Sequence, residues 1–173
     1  MGNYKNLLKN ITTFVFDYDG VLTNGIVLVT NEGNQLRTAN VKDGYALQLA
    51  VKKGFRIAII SGGNSESMRR RFDGLGITDV FLGVENKRKL FEEYTQKNNI
   101  QQQEILFMGD DIPDFELMQL VGVPTCPADA AEEIKNQAVY ISAYKGGEGC
   151  VRDIIEQTLK VQEKWFDKDA FHW

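Results

Sequence analysis

Two carboxylates stand one residue apart at the end of an apolar segment near the start of the chain. Asp17 and Asp19 follow residues 12–16, and Gly20 comes directly after them. An apolar segment of this kind is typical of a buried parallel strand, and ligands of open α/β sheets bind where such strands end. One carboxylate there can serve as a nucleophile or metal ligand while the other donates a proton. Taken alone, the same residues are equally compatible with an ordinary turn.

Four motifs in a fixed order favour the chemical interpretation over the turn. Beyond Asp17-x-Asp19-Gly20, the sequence contains Ser61-Gly62, then Lys87, then the cluster Gly109-Asp110-Asp111-x-x-Asp114. Their order and spacing resemble the four motifs of the haloacid dehalogenase superfamily of phosphatases. The resemblance implies an enzyme that transfers a phosphoryl group to water.

The composition excludes several other kinds of site and partner. His172 is the only histidine among the 173 residues, which excludes a histidine-based triad and a site with several histidine ligands. The formal net charge of −4 provides no basic surface for nucleic acid or an anionic membrane. No segment approaches the roughly 18 apolar residues of a membrane span. With only Cys126 and Cys150 and no signal-peptide pattern, we expect a reduced, cytoplasmic protein.

The elements that must position these residues alternate along the chain. Strand patterns occur at residues 12–16, 55–60, 79–83, 104–108, 123–126 and 138–141. Helix patterns occur at residues 43–54, 66–75, 87–98, 114–121, 128–136 and 151–164. This alternation predicts an α/β fold: a doubly wound, mostly parallel sheet with helices on both faces and right-handed crossovers. The length predicts a single domain, residues 1–173.

The interval between Asp19 and Ser61 is too short for an inserted cap domain. A β-hairpin, with arms at residues 26–30 and 35–38, and one helix occupy nearly all of it. Many relatives in the superfamily carry a cap there. The sequence therefore predicts a haloacid dehalogenase-like domain without a cap, with an active site that stands open in a monomer.

The resemblance assigns the reacting groups. Asp17 would be the nucleophile and form an aspartyl-phosphate, while Asp19 would protonate the leaving oxygen and then activate water. Mg²⁺ would be held by the carboxylate of Asp17, the backbone carbonyl of Asp19 and Asp110, an all-oxygen site of the kind that Mg²⁺ prefers. Ser61 would donate its hydroxyl to a phosphoryl oxygen. Lys87 would pair with Asp17 and the phosphoryl group, since a cation at a helix start needs a nearby anion.

Other residues have supporting roles in this scheme. Thr23, Gly62 and Arg69 are candidate substrate-binding residues alongside Lys87. For Arg69 a solvated helix face is the alternative, because residues 69–71 are three arginines that point in different directions. Asp111 and Asp114 would lie behind the reacting groups, although Asp114 is equally suited to cap the helix that follows it.

Within the superfamily, two segments resemble the 3-deoxy-D-manno-octulosonate 8-phosphate phosphatases of lipopolysaccharide sugar biosynthesis. These are residues 19–23 and residues 146–152. The first five residues of the second segment, 146–150, are a glycine-rich stretch that we interpret as a flexible crossing before the last helix. The chain departs from many members at Asn24, Gly63 and Glu148, and the last two departures remove possible arginine contacts to a substrate carboxylate. Arg69, Arg152 or a neighbouring subunit would have to replace them.

Two alternative functions stay open. The nearest is a phosphatase for a nine-carbon 2-keto-3-deoxy sugar acid 9-phosphate. The other is a non-enzymatic switch like a receiver domain, which is also doubly wound and phosphorylated on aspartate. Receiver domains carry the phosphorylated aspartate after the third strand, whereas here the third strand ends at Gly83 and Asp110 follows the fourth.

Two apolar segments have no assigned partner in a monomer. They are the hairpin and the tail at residues 165–173, which contains Trp165, Phe166, Phe171 and Trp173. Exposure of such segments is unfavourable, and phosphoryl transfer gains from a covered site. We expect a homotetramer, as the resemblance also implies, in which hairpins pack together, a neighbour acts as the cap and the tail closes a neighbour's site. The alternative for the tail is docking on its own domain.

Overall fold

The computed structural model describes residues 4–172 and contains a six-stranded sheet and a separate two-stranded hairpin. The strands are β1 (Thr13–Phe16), β2 (Leu28–Val29), β3 (Gln35–Leu36), β4 (Arg56–Ile60), β5 (Asp79–Phe81), β6 (Ile105–Met108), β7 (Val123–Cys126) and β8 (Tyr140–Ile141). The large sheet has the order β5-β4-β1-β6-β7-β8, and every neighbouring pair is parallel. The predicted parallel α/β sheet is confirmed.

Helices cover both faces of this sheet. They are α1 (Lys5–Leu8), α2 (Val41–Lys52), α3 (Glu66–Asp73), α4 (Lys87–Asn98), α5 (Phe115–Met118), α6 (Glu132–Gln137) and α7 (Cys150–Val161). Buried residues of α1, α2, α3 and α7 share one hydrophobic cluster with Phe14 and Phe16 of β1. Those of α4, α5 and α6 share the other with Val15. Because β1 is buried on both faces, its sequence is continuously apolar rather than alternating.

The sheet topology creates a crevice beside β1. The chain leaves β1 toward β4 on one side, whereas it leaves β6 toward β7 on the other. Phe16 lies opposite both Ile59 of β4 and Met108 of β6, so the three strands end at the same level. Ligands of doubly wound sheets bind at such a switch point, outside the carboxyl ends of the strands. The loops that carry Asp17 and Asp110 both start there.

The hairpin is shorter than predicted. Only Leu28–Val29 pairs with Gln35–Leu36, and Leu28 and Val29 are each 63% exposed. A two-stranded hairpin gains little stability unless another surface covers it, and within residues 4–172 no helix does so. Helix α6 also begins late, at Glu132 rather than at residue 128: Ala131 has a non-helical ψ of 149°, and its N–H is bound to the carbonyl of Asp110.

The C-terminal tail docks on its own domain, as the alternative expectation had it. The ring of Trp165 lies edge-on to Tyr45 of α2, and the Arg152 guanidinium carbon lies 4.5 Å from the Trp165 ring centroid. Lys53 Nζ is 2.6 Å from Asp169 Oδ2, which fixes the following turn against the end of α2. None of the described tail residues lines the crevice beside β1. Trp173 lies outside the described residues.

No helix within residues 4–172 is long and apolar enough to cross a membrane. Cys126 and Cys150 are buried free thiols, as expected for a chain without a disulfide framework.

Candidate active site

A buried lysine joins two carboxylates at the end of β1. Lys87 Nζ lies 2.8 Å from Asp17 Oδ1 and 2.7 Å from Asp114 Oδ1, and none of the three side chains is more than 9% exposed. Lys87 is the first residue of α4, so its cation stands at the positive end of a helix dipole. Burial lowers the pKa of Lys87, but Asp17 and Asp114 more than offset this, and the net pKa is raised. The lysine therefore carries its charge at neutral pH.

Asp110 brings a third carboxylate into the same cluster. Oxygens of Asp17, Asp110 and Asp114 all lie within 4.8 Å of one another. Burial, and then the neighbouring Asp17 and Asp114, raise the pKa of Asp110 to about 8. Burial and Asp114 raise the pKa of Asp17 to about 6 despite the attraction of Lys87. Burial is the main cause of both pKa shifts and the crowding of carboxylates the second, and a bound cation would counteract both by stabilising the ionised carboxylates.

The cluster fits a hard divalent cation such as Mg²⁺. Asp110 Oδ1 is buried without a hydrogen-bond partner, which is costly unless something else binds it. Asp114 is already committed, because Oδ1 binds Lys87 and Oδ2 accepts the Asp110 N–H at 3.0 Å. Asp17 and Asp110 are therefore the carboxylates available to a metal, and Asp114 orients them. Carboxylate oxygens at a partly hydrated site are what Mg²⁺ prefers.

The roles of Asp111 and Asp114 differ from the helix-capping alternative. Asp114 precedes α5, but its side chain makes no capping hydrogen bond there. Asp111 does cap: its Oδ1 accepts the Ile112 N–H at 2.8 Å, and its side chain is exposed. The structure thus brings Asp114 into the cluster and leaves Asp111 outside it.

Ser61 lies at the end of β4, facing the same crevice. Its side chain is buried, and its Oγ accepts the Gly63 N–H at 3.0 Å. Because the oxygen accepts this bond, the hydroxyl hydrogen remains available to donate to a bound phosphoryl group. Asp17, Asp19, Ser61, Gly62 and Lys87 all line one cleft of ≈ 690 Å³.

Sequence reasoning missed several residues of this cleft. Besides Gly63, which the sequence already marks as a departure from many family members, its walls include Val84, Glu85, Asn86, Arg88, Ile112, Pro113, Phe115 and Glu116. Most of these directly flank Lys87 or the Asp110 cluster, so their place in the sequence beside two motifs was a usable signal.

Asp19 is paired with a residue that we did not predict. Arg37, which follows β3, donates from Nε to Asp19 Oδ1 at 2.6 Å and from Nη2 to Asp19 Oδ2 at 3.1 Å. Such a two-point contact is the strongest geometry for an arginine and a carboxylate. Arg37 is the only basic residue between positions 26 and 38, which was the signal that could have identified it.

Three residues considered for substrate binding either bind other groups of the protein or lie outside the cleft. Thr23 is fully buried, and its Oγ1 accepts hydrogen bonds from the backbone N–H groups of Gly20 and Gly25, at 3.3 and 3.2 Å. It therefore holds together the loop after β1, residues 17–25, which we call the catalytic loop. Arg69 is exposed on α3 and does not line the cleft. Arg152 stacks on Trp165 and binds Glu156 through Nε.

The glycine-rich stretch supports the catalytic loop and is not a loose crossing. The Gly147 N–H donates to the carbonyl of Val21 at 2.9 Å. A Cβ on Gly146 would lie 1.9 Å from the carbonyl oxygen of Gly20, so only glycine permits this approach. Glycine is therefore required at position 146, because the backbone of this stretch lies directly against the backbone of the loop after β1.

Comparison with known proteins places these residues in a family. Residues 83–154 match the family described as haloacid dehalogenase-like hydrolase. Over 156 residues the chain is 33% identical to the 3-deoxy-D-manno-octulosonate 8-phosphate phosphatase KdsC of Escherichia coli. That alignment covers 90% of this chain and 83% of the relative.

Solved structures agree with the sequence comparison. A 3-deoxy-D-manno-octulosonate 8-phosphate phosphatase from Moraxella catarrhalis, in complex with a magnesium ion, a phosphate ion and a KDO molecule, superposes with a TM-score of 0.92. It is 31% identical, and the match covers 99% of this chain and 97% of that one. The cobalt-bound phosphatase from Haemophilus influenzae gives a TM-score of 0.89 at 27% identity, covering 95% and 98%.

Proposed function

The chain belongs to the haloacid dehalogenase-like hydrolases, and from that premise we infer that it is a Mg²⁺-dependent phosphatase of 3-deoxy-D-manno-octulosonate 8-phosphate. The observation that carries this is the buried cluster of Asp17, Asp110 and Lys87 at the switch point of the sheet. The substrate is supported by the chain's identity to KdsC and by its likeness to the structure that contains KDO. The reaction is the hydrolysis of a phosphate monoester.

The first half-reaction transfers the phosphoryl group to Asp17. A carboxylate oxygen of Asp17 attacks phosphorus, and the bond from phosphorus to the sugar oxygen breaks. Asp19, which Arg37 holds as a carboxylate in this structure, takes up a proton from solvent and gives it to that leaving oxygen. Lys87 reduces the repulsion between the anionic nucleophile and the anionic substrate, while the Ser61 hydroxyl donates to a phosphoryl oxygen.

The second half-reaction regenerates the enzyme. Water attacks the aspartyl-phosphate, Asp19 takes a proton from that water, and inorganic phosphate leaves with Asp17 restored. Bound Mg²⁺ supplies positive charge that stabilises the transferring phosphoryl group. Asp17, Asp110 and the backbone carbonyl of Asp19 would hold it, and Gly62 would contact the substrate from the cleft wall.

We further propose that the active form is a cytoplasmic homotetramer that acts in lipopolysaccharide sugar biosynthesis. Ile26, Leu28 and Val29 of the hairpin region are 67%, 63% and 63% exposed, which is a large apolar surface for one short hairpin. Packing of hairpins from several subunits would bury it. A neighbouring subunit would then cover a cleft that has no cap domain of its own.

Phosphate release from a panel of substrates tests the proposed activity. We expect hydrolysis of 3-deoxy-D-manno-octulosonate 8-phosphate in Mg²⁺ to exceed that of nine-carbon sugar acid 9-phosphates, with loss of activity in EDTA. Asp17→Asn should abolish turnover, and Asp19→Asn should slow it by about 10²-fold or more. A preference for the nine-carbon substrate would reassign the substrate, and full activity of Asp17→Asn would refute the covalent mechanism.

A further inference from the structure

Arg37 stands where two clefts of the molecule meet. The active-site cleft of ≈ 690 Å³ is lined by Asp19, Gly62 and Gly63. A second cleft of ≈ 680 Å³ is lined by Leu36 and neighbouring hairpin residues, and it shares Gly62 and Gly63 with the first. Since Arg37 follows Leu36 and binds Asp19, its guanidinium lies at the junction.

The absence of a side chain at position 63 makes room for that guanidinium. A Cβ on Gly63 would lie 3.1 Å from Asp19 Oδ2, 3.3 Å from Ser61 Oγ and 3.4 Å from Arg37 Nη2. A longer side chain would compete for the space where Arg37 and Asp19 now pair. Gly63 therefore permits Arg37 to reach the active site from the hairpin.

The Arg37 guanidinium needs an anionic partner because little of it is exposed to solvent. Its side chain is only 7% exposed, whereas Asp19 is 33% exposed. A buried cation without a partner is strongly destabilising, but Asp19 can be solvated if the pair separates. An exchange of one carboxylate for another on Arg37 is therefore cheaper than its simple release.

The two cations that line the active-site cleft within the described residues are less suited to a substrate carboxylate. Lys87 is buried between Asp17 and Asp114, whereas Arg88 is 47% exposed and forms only surface ion pairs with Glu92 and Glu116, which do not fix its position. The planar fork of an arginine also matches a carboxylate in two-point geometry, which a lysine does not offer. Arg37 is thus best placed to bind a second anionic group of the substrate.

We propose that Arg37 recognises the substrate's carboxylate by exchanging it for Asp19. In the free enzyme Arg37 clamps Asp19; when a sugar acid phosphate enters, its carboxylate takes over the guanidinium and Asp19 is freed beside the leaving oxygen. The proposal rests on the proposed function, because it requires a substrate that carries both groups. In this exchange, binding of the substrate's carboxylate to Arg37 also releases Asp19. A phosphate ester without a carboxylate would neither bind Arg37 nor release Asp19.

Selectivity between acidic and neutral substrates tests this exchange. kcat/KM is measured for 3-deoxy-D-manno-octulosonate 8-phosphate and for glucose 6-phosphate, and separately for 6-phosphogluconate against glucose 6-phosphate. All are primary alkyl phosphates, so the leaving oxygen needs the same proton in each. We expect Arg37→Ala to lower the acid-over-neutral ratio at least about 30-fold, as loss of a buried charge partner does, and Arg37→Lys to lower it less.

Arg70→Ala is the matched control, since Arg70 is 78% exposed on α3 and should not change either ratio. Equal losses on acidic and neutral substrates in Arg37→Ala would overturn the proposal, because Arg37 would then only orient Asp19. Equal rates of the wild type on 6-phosphogluconate and glucose 6-phosphate would overturn it as well. If the octulosonate ester is not hydrolysed but 6-phosphogluconate is preferred through Arg37, the proposed substrate fails and the role of Arg37 stands.

Discussion

A Cβ on Gly20 would lie 2.0 Å from Asp110 Oδ2. The loop after β1 and the carboxylate after β6 therefore fit together only because position 20 has no side chain. Gly20 also has a φ of +86°, a conformation that other residues adopt at a cost. The position of the proposed metal ligand Asp110 therefore depends on the close approach of the β1 loop, which Gly20 permits.

Replacement of Gly20 should weaken the metal site specifically. Gly20→Ala displaces Asp110, so we expect the Mg²⁺ concentration for half-maximal phosphate release to rise at least about tenfold, as when groups that hold a metal ligand are lost. Gly33→Ala is the control: Gly33 has a φ of +83°, but nothing lies within 4 Å of its Cβ position. Similar Mg²⁺ requirements in both variants would show that strain alone, and not the contact with Asp110, explains the effect.

Removal of the Lys87 charge should damage both activity and stability. Lys87→Met leaves Asp17 and Asp114 without their shared partner, and breaking a buried pair costs on the order of 3 kcal/mol. Urea unfolding of the metal-free protein measures this, and phosphate release should fall by about 10²-fold or more. Arg88→Met, at a 47% exposed neighbour, controls for loss of a cation, and an equal loss of stability there would contradict the expectation.

The fold and the reacting groups could be predicted because both depend on local sequence. β1 is apolar throughout since both faces are covered, and Asp17 follows it directly. Lys87 was predicted near an anion from its place at a helix start, and the structure puts it between Asp17 and Asp114. Parallel strands in one register then bring these motifs to one edge.

The features that the sequence did not predict have different physical causes. Arg37 reaches Asp19 only because the hairpin folds over the loop after β4, and no periodic pattern encodes that approach. Thr23 is a candidate from its place in the segment 19–23, yet its hydroxyl accepts hydrogen bonds within its own loop. The helix α1 was not predicted at all, since Lys5–Leu8 is too short for a helical period to be recognised.

Asp43 should make stability depend on pH. It lies buried in α2, where its Oδ1 accepts the Arg152 N–H at 2.7 Å, and burial raises its pKa from 3.8 to about 6. Because the folded pKa is the higher one, folding favours the protonated form, and stability is lost as pH rises from 3.8 to about 6. The free energy of unfolding falls by about 3 kcal/mol over this range, and Asp43→Asn should abolish this pH dependence.

The test is to measure the free energy of unfolding of the wild type and of Asp43→Asn from pH 3.5 to 7. The difference between the two proteins at each pH gives the contribution of Asp43. Asp73→Asn, at an exposed carboxylate that ends α3, controls for the loss of one charge. A constant difference between wild type and Asp43→Asn across that range would contradict the prediction.

The docked tail predicts a stability effect with little effect on turnover. Trp165 is 9% exposed and packed between Tyr45 and Arg152, whereas Phe166 is 79% exposed. Trp165→Ala should therefore destabilise the fold by about 3 kcal/mol, as large-to-small changes in a core do, and Phe166→Ala by less than about 0.5. Thermal unfolding measures both. A large change in kcat and KM with unchanged stability would instead support a lid.

Hairpin packing predicts that one charge should dissociate the proposed tetramer. Leu28 is 63% exposed in β2, so Leu28→Asp should leave the isolated subunit folded while placing a carboxylate in any interface that buries this strand. Light scattering should give a tetramer mass for the wild type and a lower mass for Leu28→Asp, with KM raised because a neighbour no longer covers the cleft. Phe166→Asp, at an equally apolar exposed position on the tail, should keep the wild-type mass. A wild type that stays monomeric at micromolar concentration with full substrate selectivity would refute the assembly, since the uncovered cleft would then suffice for catalysis.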